Sequence, residues 1–447
     1  MSRSRLTGPV RKRCVASFIL WLLVFAPAMG SAQPVIDIFG PSIPRFPISV
    51  FPFPSGGGAA GSPSEADELH RILTQDLRIS GFFEIIDHSK ALADPFGKGL
   101  DPREIDWNVL RLLGADIVVG GRVEMGGQEL RWEARLYDQP QHRMLFGKVY
   151  RGARQDVRLM AHRFADEIIR YFTGSPGIFQ TQIAFVSTRS GSKELHVMDA
   201  DGENHRQLTQ DKGIVLSPRW SPDGREIVFI SYSGPNAHLV ALDLGGLKKR
   251  VLSGRDNMNG PAAWSPDGSR LALTLTIDGN PELYLIDRRG SLLQRLTHHP
   301  GIDVSPSWSP DGRSLAFVSD RAGGPQVFIL DIASGQIRRL TYEGKYNSEP
   351  AWSPRGDRIA FSSLQGGNYE ICTIRPDGRE LLQVTSSPGD DNAPCWSPDG
   401  RYIAFASSRS GPSQIFIMLF NGQNPIQITR MSGEQSSPNW SPWPAER

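Results

Sequence analysis

Reactive chemistry is scarce in this 447-residue chain. It holds three cysteines, none in a C-x-x-C spacing, so it encodes neither a thioredoxin-type redox pair nor a cysteine zinc site. H-E-x-x-H is missing, which removes the common zinc peptidase centre. G-x-S-x-G is missing too, which removes the nucleophile elbow of the α/β-hydrolases. Ser190–Lys193 spells S-x-x-K, but the S-D-N and K-T-G companions of that catalytic set are absent. An excess of charge of one sign is also lacking, with 49 basic against 47 acidic residues.

The one long apolar run lies at the start. Residues 1–14 carry five basic residues and no acid, an apolar stretch follows to Gly30, and small residues precede Gln33. This is the pattern of a secretory signal peptide over 1–32. Pro27 and its small neighbours cut the run short of a membrane span of about 20 residues. Without the leader the chain has 44 basic and 47 acidic residues, a formal net charge of −3. No basic stripe remains for nucleic acid, and no transmembrane segment is expected in the mature chain. Two cysteines survive, Cys372 and Cys395. Export permits a disulfide, whereas their places in different strands of adjacent units favour buried thiols.

What is abundant is turn chemistry, with 46 Gly and 34 Pro. Residues 33–64 read as an extended segment with β-branched and aromatic residues, ending in a Gly/Ser/Pro-rich flexible loop. An α+β region follows over 65–177. Ser64 with Asp67 predicts a capped helix whose buried face is Leu69, Ile72, Leu73 and Leu77, closed by Gly81. Residues 82–87 read as a strand and 107–114 as a short helix. A hairpin brackets "MGGQ", and its second arm alternates Leu130, Trp132, Ala134 and Leu136 against charged residues. "MLFGKVY" adds a strand, 155–172 an amphipathic helix, and "TGSPG" the boundary.

From residue 178 to 447 the chain is repeat. W-S-P recurs at Trp220, Trp264, Trp308, Trp352, Trp396 and Trp440, each 44 residues after the last. Each unit holds four short runs, A to D, separated by turns, the content of a propeller blade. Strand A ends at the Trp, which fills the wedge between blades. The Pro-Asp-Gly that follows reverses A into B. The first B run, near Gln182, has no A strand before it, and the last A run has no B strand after it. The expected fold is therefore an α+β N-terminal domain followed by an all-β six-bladed propeller closed by the C-terminal strand. The chain enters and leaves at the A–B end of the disc, so the α+β domain belongs there. The opposite rim, with the D–A loops, is free for a partner.

Those loops are polar and acidic, with Met258, Tyr342 and Tyr346 as anchors for a protein partner. His298, His299 and Asp303 share one loop and Asp390 and Asp391 another, each too sparse for a convincing metal site. No cofactor is expected.

An export leader, an α+β domain holding "TQDLRISGFFEIID" and "LGADIVVGGRV", the junction "FADEIIRYFTGSPGIFQTQIAFVS" and six W-S-P blades together resemble the TolB family of the Tol–Pal system. The resemblance implies a non-enzymatic, monomeric periplasmic adaptor that maintains outer-membrane integrity and supports constriction at cell division. It implies that a TolA-like protein binds the segment Gln33–Phe46, with Val35, Ile36, Asp37 and Ile38 as an extended core that can add to a sheet edge. It implies that the peptidoglycan-associated lipoprotein Pal binds the D–A rim around Met258, Asn259, Asp303, Ser305, Tyr346, Asn347 and Glu349. This chain departs from the best-known members in Pro34, in its long Gly/Ser insert and in Met258, where a His is familiar. The alternatives are the propeller part of a secreted hydrolase, which needs a nucleophile motif, and a small-ligand or ion-binding propeller, which needs acids or His converging from several A strands.

Overall fold

The computed structural model of the chain describes residues 45–54, 64–234, 236–253 and 259–444. The expected leader, Val35, Ile36, Asp37, Ile38, Met258 and the side chain of Asn259 lie outside the described residues.

The first layer is a five-stranded sheet in the order β2-β1-β3-β4-β5, from β1 (Phe46–Val50), β2 (Phe83–Ile85), β3 (Ile117–Gly126), β4 (Glu129–Asp138) and β5 (Arg143–Ala153). Phe46–Val50, assigned from sequence to the extended segment, is instead a strand lying parallel between β2 and β3. Its apolar side chains explain this, since Ile48 is fully buried and Phe46 stacks on Phe172 at 6.0 Å.

Helices α1 (Glu65–Ser80) and α3 (Val157–Thr173) cover one face of the sheet. Ser64 Oγ accepts the Asp67 N–H at 3.2 Å and the Asp67 carboxylate accepts the Ser64 N–H at 3.0 Å, so the capping box forms. Trp132 of β4 is fully buried beneath Phe53, Tyr150 and Phe164, with ring centroids 5.2–5.5 Å apart. The other face is covered by the connection from β2 to β3, including α2 (Trp107–Leu113).

The rest forms six four-stranded sheets among the described residues. Blade 4 is typical: strand A is Asp303–Trp308, B Ser314–Ser319, C Gln326–Asp331 and D Ile337–Arg339, all antiparallel. Trp308 packs with Ala263, Leu283 and Leu285 of blade 3 and donates Nε1–H to Ala263 O at 3.1 Å. Trp396 repeats that bond to Ala351 O at 2.9 Å; five of the six Trp residues are buried, and Trp352 is half-buried. At the A–B turn Gly224 takes φ +68°. Ser221 Oγ donates to Asp223 at 2.6 Å and accepts the N–H of Glu226, the first residue of strand B, at 2.9 Å. Ser265, Ser309 and Ser397 repeat this bond to Arg270, Ser314 and Tyr402. In blade 5 the turn reads W-S-P-R-G-D, and Ser353 donates to Asp357 instead.

Blade 1 is shared by the two ends of the repeat region. Strand A is Gln435–Trp440, paired with B (Gln182–Ser187), which continues to C (Glu194–Asp199) and D (Arg206–Gln207). Ser441 Oγ accepts the Gln182 N–H at 3.0 Å, the same bond as in the continuous blades, formed across 259 residues. Trp440 Nε1 donates to Thr181 Oγ1 at 2.7 Å.

The α+β domain sits on the A–B end of blades 6 and 1. Tyr402 Oη donates to Ser80 O at 2.9 Å, and buried Arg401 donates to Thr173 Oγ1 at 2.9 Å while lying over Phe82. Asp166 of α3 accepts the Phe179 N–H at 2.9 Å and the Gln180 amide at 2.9 Å, clamping the linker. Beside it, buried His162 places Nδ1 2.7 Å from Asp76 Oδ2 and Nε2 3.2 Å from Arg158, which pairs with Asp201 of blade 1 at 2.8 Å. Burial pushes the Asp76 carboxyl up to about 7, against the pull of His162. Burial opposes charge on His162, yet the Asp76 carboxylate outweighs it and raises the imidazole.

Truncation before Ser436 removes strand A of blade 1 and opens the ring. We expect a cooperative monomer to be replaced by a destabilised or self-associating species in light scattering and thermal unfolding. Ser441→Ala leaves the Gln182 N–H unpaired and is expected to cost about 1–3 kcal/mol. A truncated chain as stable as the full one rules out closure as the source of stability.

Both Asp76 and His162 have folded values above their unfolded ones, so the folded junction binds more protons near neutrality. Stability contributed here is present at lower pH and lost as pH rises: the Asp76 part goes from the ordinary carboxylate range up through about pH 7, and the His162 part goes above the ordinary imidazole value. Asp76→Asn, which mimics the protonated acid, is expected to flatten that part of the stability profile. Equal slopes in the two proteins contradict the assignment.

Candidate protein-binding face

The D–A and B–C connections gather at the end of the disc away from the α+β domain. Strand A of each blade runs along the central cavity, of about 480 Å³, and carries an interruption in its register. One residue there takes a positive φ of 50–54°: Ser217, Ser305, Glu349, Ala393 or Ser437, spaced by multiples of the repeat. The equivalent residue of blade 3 is Pro261, whose ring holds φ negative. The bulge breaks the strand's alternation and re-aims side chains toward the channel mouth.

In blade 5 the bulge presents Glu349, which is exposed. Its carboxylate accepts Ser362 Oγ–H at 2.9 Å and the Ala393 N–H of blade 6 at 2.9 Å, bridging two bulges. Tyr346 is 38% exposed and meets Tyr369 edge-on at 5.7 Å. The Tyr369 N–H donates to Asp390 at 2.9 Å. Burial, then Tyr346, Asp390 and Glu349, raise the Tyr369 phenol, so these four groups share one electrostatic neighbourhood. Tyr342 is 73% exposed and lies under the Arg339 guanidinium at 4.8 Å. The face therefore offers aromatic rings rimmed by carboxylates, which suits a partner with apolar anchors and cationic or amide donors.

The remaining expected residues divide by position. Ser305 is the half-buried bulge of blade 4. Asp303 and Asn347 open strand A of blades 4 and 5 and are fully buried. Asp303 accepts from Arg321 at 2.6 Å, and the Asn347 amide donates to Gln326 at 2.9 Å and to Glu343 O at 2.7 Å. These two residues hold the blades and the loops that shape the face. Their polar equivalents at Asp391 and Gln435, one repeat apart, are the sequence trace of that role.

A second repeated pair escaped the sequence reading. The first residue of strand C accepts the Thr hydroxyl that follows strand D, and the same hydroxyl accepts a strand C N–H. Glu282–Thr297 and Gln326–Thr341 are examples, and Glu370, third in its strand C, pairs with Thr385 in the same way, closing the outer edges of blades 3, 4 and 5. His299 Nδ1 accepts the Gly301 N–H and Asp303 is tied to Arg321, so that loop has no open ligand set. Among the described residues the one cluster with metal-like spacing is Asp76, His162 and Asp201, into which Arg158 already projects. Cys372 and Cys395 are buried free thiols. No helix among the described residues is long and apolar enough to cross a membrane.

Comparison with known proteins agrees with this architecture. Residues 34–145 match the family described as TolB amino-terminal domain, and residues 169–444 that described as TolB beta propeller domain. The Tol-Pal system protein TolB of Syntrophotalea carbinolica is 44% identical over 166 residues, 37% of this chain and 39% of that one. Its counterpart in Anaeromyxobacter dehalogenans is 36% identical over 217 residues, 48% of this chain and 49% of that one. The chain thus spans between two fifths and half the length of these curated relatives. The crystal structure of TolB from Acinetobacter baumannii superposes with a TM-score of 0.78 and 26% identity, over 89% of this chain and 97% of that one. By sequence match over both domains and by fold, the chain belongs to the TolB family.

Proposed function

We propose that the chain is a non-enzymatic adaptor of the Tol–Pal system, working in the periplasm. The observation that carries the reading is the face on blades 5 and 6, where exposed Tyr346 shares the surroundings of Tyr369 with Glu349 and Asp390 at the end of the disc opposite the α+β domain. Its occupant is the lipoprotein Pal. The segment around Val35, Ile36, Asp37 and Ile38 engages a TolA-like protein by strand addition. The two contacts lie on different parts of the chain, so one molecule links two envelope partners and serves outer-membrane integrity and constriction at division. Family membership supports the system, and the geometry of the rim supports a protein partner.

Tyr346→Ala is expected to weaken Pal binding by about tenfold or more, as removal of an interface aromatic does. Glu349→Lys is expected to weaken it as well. Calorimetry should be paired with thermal unfolding, because the lysine also breaks the bond to Ala393. Unchanged affinity in both variants moves the site elsewhere. Deleting residues 33–44 should abolish capture of the TolA-like partner while leaving the unfolding midpoint in place. Phe46 must be kept, since it opens β1. Retained capture by the deleted chain refutes the tail's role.

A further inference from the structure

Blade 1 departs from its equivalents at two of the three positions that form one repeated cluster. In blade 4 the B–C loop carries Arg321, whose guanidinium pairs with Asp303 of strand A at 2.6 Å and lies over Phe328 of strand C at 5.3 Å. Blade 6 repeats the set: Arg409 pairs with Asp391 at 2.7 Å and lies over Phe416 at 4.9 Å. In both, a buried carboxylate and an aromatic face neutralise the cation.

Blade 1 keeps the arginine and changes both partners. Arg189 holds the same backbone place, its N–H donating to Ser187 Oγ at 3.2 Å as Arg321 and Arg409 donate to Ser319 and Ser407. The strand A carboxylate is replaced by Gln435, whose amide is turned to the carbonyls of Ser432 and Gly433. The strand C phenylalanine is replaced by His196. Among the described residues Arg189 makes no ion pair, and its guanidinium hydrogen-bonds His205 Nε2 at 3.0 Å. His196 is 3% exposed, its ring 5.6 Å from that of Phe185, and neither ring nitrogen has a partner within the protein.

A cavity of about 340 Å³ opens here, lined by Arg189, Ser190, His196, His205 and Gln207. Its walls bring a guanidinium, two imidazoles, a hydroxyl and an amide, and no carboxylate. The nearby acid, Glu194, is already engaged by Thr209, Ser192 and the Lys212 N–H. A buried imidazole always keeps at least one N–H, and leaving it unpaired is costly. Burial, then His205 and Arg189, hold His196 down at about 4, so at neutral pH it is an uncharged donor beside a cation.

We propose that this pocket between the B–C loop and strands C and D of blade 1 binds a phosphate group, free or as a small phosphate monoester. The donors come from three chain segments around the cavity, which suits a tetrahedral oxyanion better than a planar carboxylate. Arg189 supplies the charge that Asp303 and Asp391 neutralise in the sister blades. His196 and Ser190 supply directed N–H and O–H donors. The site is separate from the Glu349–Tyr346 face and does not depend on it.

The test is titration of the full chain with inorganic phosphate and with glycerol 3-phosphate, with acetate as the planar control, followed by calorimetry and by the His196 ring nitrogen resonances. Saturable one-to-one binding of either phosphate that shifts the His196 signals is expected, and the tighter of the two separates free phosphate from an ester. Arg189→Gln should weaken binding by about tenfold or more, the scale of a charge-assisted bond. His196→Phe and Gln435→Asp restore the sister-blade residues. Both should fold and both should lose binding, the second because its carboxylate captures Arg189. Absence of saturable phosphate binding overturns the proposal. So does acetate binding as tightly as phosphate, or undiminished binding by folded Gln435→Asp.

Discussion

A single hydroxyl bond recurs around the ring: in blades 2, 3, 4 and 6 the serine after the blade tryptophan accepts the first N–H of the next strand. Strand B is the second strand of every sheet, and its first donor sits where the chain has just reversed, out of reach of the ladder. The hydroxyl satisfies that donor and, through its own proton, orients the aspartate that caps the turn. At Ser441 the same bond is made to Gln182 without any turn between them. The seam therefore has the local chemistry of a continuous blade, and the ring closes without a free sheet edge between its first and last repeats.

Closure then dictates where the rest can lie. Because the chain enters at strand B of blade 1 and leaves after its strand A, the α+β domain is held over blades 6 and 1. There the A–B turn of blade 6, exposed elsewhere, becomes an interface, with Arg401 and Tyr402 reaching Thr173 and Ser80. The Asp76–His162–Arg158–Asp201 relay ties α1 and α3 to blade 1 on the other side. With this end occupied, the loops at the opposite end are the surface left for recognition. That division of the disc, one end for the domain and one left free, is the geometry on which the proposed adaptor role rests.

Departures from the repeat carry the information that the repeat itself cannot. Asp303, Asn347, Asp391 and Gln435 occupy one position and do three jobs, from ion pair to amide relay. Read as loop residues, Asp303 and Asn347 suggest contacts with a partner. Read as the first residue of strand A, they are parts of the blade, and the exposed members of the face are Tyr346 and Glu349. Blade position is visible in the 44-residue spacing, but burial is not, because a polar residue at a strand end has the same letter whether it faces water or a buried arginine.

The six blades, their turns, the capped helix α1 and the closing strand were legible in the sequence because each rests on local chemistry: a fixed period, a Pro-Asp-Gly turn, a Ser-x-x-Asp box, an alternation of apolar residues. Phe46–Val50 was not, because Pro44, Pro47 and Pro52 around it look like linker, and only the groove between β2 and β3 makes it a strand. The positive-φ bulges, the Glu349 bridge between blades and the unpaired Arg189 and His196 arise from residues brought together across blades and loops. Their partners are set by the curvature and closure of the ring, which no single stretch of sequence contains.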